Sequence, residues 1–327
     1  MKRLWTRGKL QELTAKPNKI GVSQNCEEYV KEYISFVQSS FIENINKNNK
    51  EDFIVGIDTA NGATYKIAEE IFTKLGIKYK IIHNTPDGIN IHQDCGSTHL
   101  DKIKKYVVDN KLSLGIAYDG DGDRCLAIDE KGNIIDGDIL LSIFAKYLKE
   151  KNMLKQDNLV ATVMSNLGLK KFAQDNNISL KQTKVGDRYV LEEMLKQGYN
   201  LGGEQSGHII LLDYNPTGDG IFTSLMLINI LLEKNVLASK LCSIIKIYPQ
   251  VLVNAKVNCY KKMEYQTDKE IMQKINQLEQ EVANNGRILI RPSGTEPLVR
   301  VMIEGEDKEY ITQQAKSLAE LIENKLN

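Results

Sequence analysis

Asp119, Asp121 and Asp123 stand at alternate positions in the run Asp119-Gly120-Asp121-Gly122-Asp123-Arg124. Glycine at the intervening positions lets the backbone turn tightly enough for three carboxylates to converge. Converging carboxylates repel one another, and a hard cation such as Mg²⁺ or Ca²⁺ relieves them. Arg124 directly behind them suits an anionic ligand, most simply a phosphate. A merely solvated acidic turn is the plainer alternative. An EF-hand loop is a second one, because Glu130 falls at its twelfth position. However, Arg124 occupies the sixth position, where that loop needs glycine, and the residues that follow read as a strand.

Three other loops carry chemistry-bearing side chains. Gly202-Gly203-Glu204-Gln205-Ser206-Gly207-His208 offers a carboxylate, a hydroxyl and an imidazole. Glu204 and Ser206 suit the vicinal hydroxyls of a sugar, and His208 can also shuttle a proton. A tight turn whose Glu and His face water is the competing reading. Arg291-Pro292-Ser293-Gly294-Thr295-Glu296-Pro297 follows a strand. Its amides and hydroxyls at Ser293, Gly294 and Thr295 form a nest for an anion, with Arg291 and Arg300 as charged donors. It lacks the GxxxxGK pattern of a Walker loop, and a structural turn is the alternative. Thr183-Lys184-Val185-Gly186-Asp187-Arg188 joins a strand to a helix. Lys184 and Arg188 there can hold a second oxyanion, unless Asp187 simply caps the helix. His92, Cys95 and His99 give no zinc pattern, since a fourth local ligand and a CxxC are missing.

The elements that position these loops alternate. A helical pattern runs from Glu27 to Phe41. Phe53–Ile57, Tyr79–His83 and Leu112–Tyr118 read as strands, and Tyr65–Leu75 and Leu100–Val108 as helices. A further apolar run opens at Cys125, and Asn133–Gly137 reads as a turn. A helix over Ile139–Leu148 opens a second unit with the same rhythm: Val160–Met164, Ile178–Gln182, Asn200–Gly203 and Ile209–Leu212 as strands, and Leu167–Ala173, Tyr189–Leu195 and Ile221–Leu232 as helices. The order predicts mainly parallel sheets with crossover helices, and hints at an internal repeat. From about Tyr248 the order changes to strand, helix, strand, strand, helix, an α+β unit. The expected fold class is α/β: two consecutive α/β domains, 23–136 and 137–245, then a smaller α+β domain, 246–327, with 1–22 as a linker or the remnant of a preceding domain.

Composition narrows the function. With 43 basic and 43 acidic residues the formal net charge is zero, which argues against a general nucleic-acid binder. No apolar run approaches the ~20 residues of a membrane span, and the first residues lack the apolar core of a secretory signal. The five cysteines are odd in number and widely spaced, which suits reduced thiols in the cytoplasm. Of the seven arginines, Arg124, Arg188, Arg291 and Arg300 fall in or beside glycine-containing loops, where their planar fork binds oxyanions as lysine cannot. No GxGxxG follows a strand, so a dinucleotide cofactor is not expected.

Together these loops resemble the α-D-phosphohexomutase family. Ala117-Tyr118 with the acidic run resembles its metal loop, Gly203–His208 its sugar loop, and the stretch from Arg291 to Met302 its phosphate loop. The strings 86–91 (PDGINI), 95–99 (CGSTH), 162–169 (TVMSNLGL) and 183–190 (TKVGDRYV) are similar to the family's bacterial amino-sugar branch. The likeness runs from about Lys19 to the C-terminus. It implies interconversion of glucosamine 6-phosphate and glucosamine 1-phosphate, supplying UDP-N-acetylglucosamine for cell-wall synthesis, with a sugar 1,6-bisphosphate (glucose or glucosamine) as phosphoryl donor or intermediate. It implies Mg²⁺ on Asp119, Asp121 and Asp123, Arg124 near the transferring phosphoryl, and Glu204, Ser206 and His208 on the sugar. Arg291, Ser293, Gly294, Thr295 and Arg300 would hold the non-reacting phosphate. In the family a phosphoserine in an SASHNP-like loop of a first domain starts the reaction, and this sequence has no such loop. The expectation is therefore a chain of domains two to four that is inactive alone, partnered by a separate first-domain chain, or a catalytically silent sugar-phosphate binder. A relative acting on phosphomannose or phosphoglucose is the third possibility.

Overall fold

The computed structural model describes residues 19, 21–22, 24–48, 50–283, 285–293 and 296–327. Most of the expected linker 1–22, and Gly294 and Thr295 of the phosphate loop, therefore lie outside the described residues.

The first helix, α1 (Glu27–Asn48), is longer than its apolar pattern suggested, because the stripe Ile34, Val37, Phe41 continues to Ile45, all buried. A first sheet follows: β1 (Ile54–Asp58), β2 (Lys78–Ile82), β3 (Leu114–Tyr118), β4 (Cys125–Asp129) and β5 (Ile134–Ile135), with α2 (Tyr65–Lys74) and α3 (Asp101–Asp109) as crossovers. Its order is β2-β1-β3-β4-β5. β2, β1 and β3 run parallel, and β4 and β5 add antiparallel. The expected turn 133–137 instead holds β5 and the start of the next helix. Asp129 makes the reversal by accepting the Lys131 and Asn133 amides at 2.9 and 2.8 Å.

The second unit comprises α4 (Gly137–Glu150), β6 (Asn158–Thr162), α5 (Leu167–Asp175), β7 (Ser179–Thr183), α6 (Asp187–Gln197), β8 (Leu201–Gly203), β9 (Ile209–Leu211), α7 (Gly220–Lys234) and α8 (Ala238–Cys242). Its sheet order, β7-β6-β8-β9, repeats the first: second strand, first, third, then an antiparallel fourth. The shared rhythm of the two sequences is thus a shared topology. Asp136 and Asp219 cap α4 and α7 by accepting the Ile139 and Phe222 amides at 3.0 and 2.9 Å, which satisfies otherwise orphaned helix-start donors.

α7 is apolar on every side and is buried from Gly220 to Leu232, as an all-round hydrophobic helix must be. It packs against α1, α4 and the strands β3 and β4 of the first sheet. One core consequently runs from Ile34 to Ile245 through both α/β units. Smaller clusters under α3 and α6 cover the opposite sheet faces.

The C-terminal unit has β10 (Gln250–Lys256), α9 (Lys269–Val282), β11 (Arg287–Pro292), β12 (Leu298–Glu304) and α10 (Lys308–Leu326). Its sheet is antiparallel in the order β10-β12-β11, with its own core under α9 and α10. It is tied to the second unit at Arg287, which ion-pairs with Glu304 and donates to the carbonyls of Val163 (3.0 Å) and Ser165. Glu304 also accepts the Leu167 amide at 3.1 Å.

Candidate active site

The acidic loop joins β3 to β4, where the parallel strands end and the sheet reverses direction. One carboxylate oxygen from each of Asp119, Asp121 and Asp123 lies within 4.8 Å of the others. The residues after the loop form β4, not a helix, which disposes of the EF-hand reading. Asp119 is fully buried. It accepts the Gly122 and Arg124 amides, both at 3.1 Å, and the Arg124 Nε at 2.5 Å. Burial works to raise its carboxyl, but the Arg124 amide, Asp123 and the Arg124 guanidinium outweigh it and hold the carboxyl below the usual range. Asp123 goes the other way: burial, then Asp119 beside it, push its carboxyl up. Its Oδ1 is buried with no hydrogen bond, and Arg124 Nε stands 3.5 Å away. An orphaned buried carboxylate oxygen facing two more carboxylates fits a hard divalent cation. Asp121 is the exposed member.

The sugar-type loop between β8 and β9 is fastened to this site by backbone. The Cys125 amide donates to the Gly207 carbonyl at 3.0 Å, and the Gly137 amide to the Gln205 carbonyl at 3.0 Å. Gly207 has φ +91, and a Cβ there would meet the Cys125 carbonyl oxygen at 2.3 Å, so only glycine allows the approach. Ser206 is exposed, and Glu204 half-buried. Glu204 Oε1 accepts the Gly186 amide at 3.0 Å, which brings the loop 183–188 to the same place. Sequence spacing gave no sign of that contact.

His208 departs from expectation. It is 4% exposed, too buried to reach a sugar. Its Nε2 accepts the Gly218 amide at 3.2 Å, so the proton sits on Nδ1, which donates to Asp123 Oδ2 at 3.1 Å. In this geometry His208 holds Asp123 by a hydrogen bond from its Nδ1. Asp187 is not the cap of α6; it is the first helical residue, and Gly186 stands at the cap position with no side-chain bond. Lys184, Asp187 and Arg188 are exposed, and Arg188 pairs with Glu192 on its own helix at 2.7 Å.

The Arg291 loop links β11 to β12, at the end of that sheet opposite Arg287 and Glu304. Arg291 and Arg300 are cross-strand neighbours, and each has a buried Nε without a hydrogen bond. Burial, then Arg300, hold Arg291 below the ordinary arginine value. Ser293 is buried, and its hydroxyl accepts the Glu296 amide at 3.2 Å. Lys262, which the sequence did not single out, donates to the Ser293 and Glu296 carbonyls at 2.8 and 3.2 Å. Its distance in the chain from the loop hid it. His92 and His99 are not brought together with Cys95. His92 Nε2 instead accepts the Gly120 amide at 2.6 Å and braces the acidic loop.

A doubly repeated α/β frame with a metal-type loop, a polyol-type loop and an anion-type loop defines a class. The domain II, III and IV models of the phosphoglucomutase/phosphomannomutase family match residues 31–132, 136–248 and 252–321, and the chain belongs to that family. Among curated relatives, it is 54% identical to the phosphoglucosamine mutase of Clostridium acetobutylicum over 94% of this chain and 66% of that protein. The phosphoglucosamine mutase of Clostridium tetani is 50% identical over 94% and 67%. The chain thus spans about two thirds of the length of these relatives. Among solved structures, Aspergillus fumigatus N-acetylphosphoglucosamine mutase in complex with GlcNAc-6P and magnesium matches with a TM-score of 0.74 at 18% identity, over 91% of this chain and 65% of that one. An N-acetylglucosamine-phosphate mutase of the α-D-phosphohexomutase superfamily in its product complex gives 0.71 at 22%, over 89% and 65%. These two likenesses establish the fold. Among the described residues, no helix is long and apolar enough to cross a membrane.

Proposed function

We propose that the chain carries the metal, sugar and distal-phosphate sites of a cytoplasmic phosphoglucosamine mutase, which interconverts glucosamine 6-phosphate and glucosamine 1-phosphate for UDP-N-acetylglucosamine synthesis. The observation that carries the reading is the junction of the acidic loop with the loop 202–208, through Cys125–Gly207 and Asp123–His208. It brings the three carboxylates and the loop 202–208 together, which supports a cation site beside a polyol-binding edge.

Asp119, Asp121 and Asp123 would hold Mg²⁺, which screens the charge of a transferring phosphoryl group. Arg124 has its Nε fixed on Asp119, so its terminal nitrogens are the donors for phosphoryl oxygens. Glu204 and Ser206 accept and donate to the sugar hydroxyls. Arg291 and Arg300 grip the phosphate that does not react, and that remote grip supplies orientation. Lys184 and Arg188 face solvent beside Glu204 and steer the anion in. The phosphoryl donor would be a phosphoserine: it gives its phosphoryl group to the bound sugar monophosphate, the 1,6-bisphosphate so formed reorients, and the freed serine hydroxyl takes back the other phosphoryl group. We assign it to no serine of these loops: Ser293 is committed to the Glu296 amide, and Ser206 belongs to the sugar edge. A phosphoseryl loop must therefore dock here from elsewhere.

The test is calorimetry with glucosamine 6-phosphate, followed by turnover with Mg²⁺ and glucose 1,6-bisphosphate, with and without a separately expressed phosphoserine domain of a related mutase. Binding, and turnover only with the added domain, are expected. Binding with no turnover in either arm favours a silent sugar-phosphate binder. No binding at all overturns the reading, and turnover by the chain alone returns the nucleophile to one of its own serines.

A further inference from the structure

Asp58, His83 and Cys95 form a cluster that none of the sites above uses. Asp58 ends β1 and His83 follows β2, and these strands are parallel neighbours with Asp58 opposite Ile82. Cys95 comes from the loop that follows. One carboxylate oxygen, one ring nitrogen and the sulfur all lie within 4.8 Å of one another. Asp58 and Cys95 are fully buried, and the His83 ring is the partly exposed face.

The three donors are held in place before any ligand arrives. Asp58 accepts the Ala60 amide at 2.9 Å and the Gly96 amide at 3.0 Å. Gly96 has φ +73, and a Cβ there would meet Ala60 Cβ at 2.5 Å and the Tyr118 carbonyl oxygen at 2.6 Å. The Cys95 segment is thus pressed against the Ala60 turn and the end of β3. His83 sits at φ +51, uncommon for a non-glycine residue. It is kept there by the Thr59 hydroxyl and the Asn61 amide, both 2.7 Å from its carbonyl.

The arrangement leaves an unsettled atom. His83 Nδ1 is 2.9 Å from Asp58 Oδ2, yet off the line of a ring N–H, and it is buried without a hydrogen bond. A buried imidazole nitrogen that meets a carboxylate oxygen without an aligned hydrogen bond is costly as it stands. A cation shared by the three removes the cost.

We propose that Asp58, His83 and Cys95 bind a Zn²⁺-type ion, separate from the Asp119–Asp123 site. The mixed sulfur, nitrogen and oxygen set selects zinc over magnesium, which takes oxygen ligands. Burial, and then Asp58, keep the Cys95 thiol protonated without metal, so binding exchanges one thiol proton for the ion. The ion would brace the turn beneath the acidic loop, because the Ala63 amide on that turn donates to the Gly120 carbonyl at 2.8 Å. The proposal does not depend on the mutase reading.

The test is titration of the metal-stripped chain with Co²⁺, in a background where the exposed Cys26 and Cys259 are serine, followed by thiolate-to-cobalt charge-transfer absorption. One equivalent should produce the band, and Zn²⁺ should abolish it. Cys95→Ser should lose the band with its far-ultraviolet circular dichroism intact. His83→Ala should shift the midpoint by at least the ~10–100-fold that a metal site's outer partners are worth. Asp121→Ala should keep both band and midpoint, which separates this site from the acidic loop. Absence of the band in the parent chain, or an undiminished band in either folded variant, overturns the proposal.

Discussion

Arg291 and Arg300 stand directly opposite each other on β11 and β12, each with a buried Nε that no group satisfies. Like charges at facing strand positions are destabilising, and so are unpaired buried donors. The unliganded sheet therefore carries a penalty that the proposed phosphate would remove. A site of this kind gives up stability for affinity.

The first prediction follows. Arg291→Met should weaken glucosamine 6-phosphate binding by roughly 1.5–3 kcal/mol, the worth of a hydrogen bond to a charged group. Its melting temperature without ligand should not fall. Calorimetry and thermal unfolding check the two halves. Unchanged affinity would remove the phosphate cradle from this loop.

The acidic loop separates two roles. Asp121 is exposed, so Asp121→Ala should abolish the heat of Mg²⁺ binding and change stability by no more than ~0.5 kcal/mol. Asp119 holds two amides and the Arg124 side chain, so Asp119→Ala should cost about 1–3 kcal/mol, because it leaves the Gly122 and Arg124 amides without their acceptor. His208→Ala should lower Mg²⁺ affinity about 10–100-fold by freeing Asp123. If His208→Ala left Mg²⁺ affinity alone and weakened only sugar binding, the direct-contact role would return.

Much of this was legible in the sequence. The alternation of apolar runs predicts every crossover helix, because period and propensity are local properties. β5 escaped because a two-residue strand has no period. The continuation of α1 was missed because the residues after Phe41 are mostly polar, and a single Ile45 prolongs the stripe. The acidic loop was readable because its three carboxylates lie within one short run of sequence. The role of His208 was not: its partner Asp123 lies 85 residues away, and nothing local distinguishes a buried imidazole from an exposed one. Lys262 and Arg287 were passed over for the same reason, as each acts on carbonyls far along the chain. The cluster of Asp58, His83 and Cys95 was not legible either. Spacing drew attention to His92 and His99, while parallel pairing of β1 and β2 set His83, not those two, beside Asp58 and Cys95.

Asp138 should make stability fall as pH rises. Burial, and then the neighbouring Asp136, push its carboxyl up to about 8. A carboxyl whose folded value lies above its unfolded ~3.9 binds its proton more tightly in the folded state. Its contribution is complete below about pH 4 and is lost as pH climbs toward 8. Asp138→Asn can still accept the Asn166 amide, now 2.7 Å from Oδ2, without the charge. Urea midpoints at pH 5, 7 and 9 should decline in the parent chain and decline less in the variant. Parallel curves would place the pH dependence elsewhere.

Arg287 should hold the C-terminal unit in position for the site. It reaches from β11 to the Val163 and Ser165 carbonyls, and it pairs with the fully buried Glu304, which also takes the Leu167 amide. Removing one partner of a buried pair strands the other, at a cost of about 3–5 kcal/mol. Arg287→Ala should therefore loosen the C-terminal unit, with new proteolytic cleavage between 243 and 250, and weaken glucosamine 6-phosphate binding though Arg291 and Arg300 are untouched. Arg287→Ala with Glu304→Gln removes the stranded charge as well as the link. It should recover part of the stability but not the affinity, because the glutamine can still accept the Leu167 amide while nothing bridges to Val163 and Ser165. If the double variant recovered affinity in step with stability, Arg287 would matter for folding alone, and the positioning role would fail.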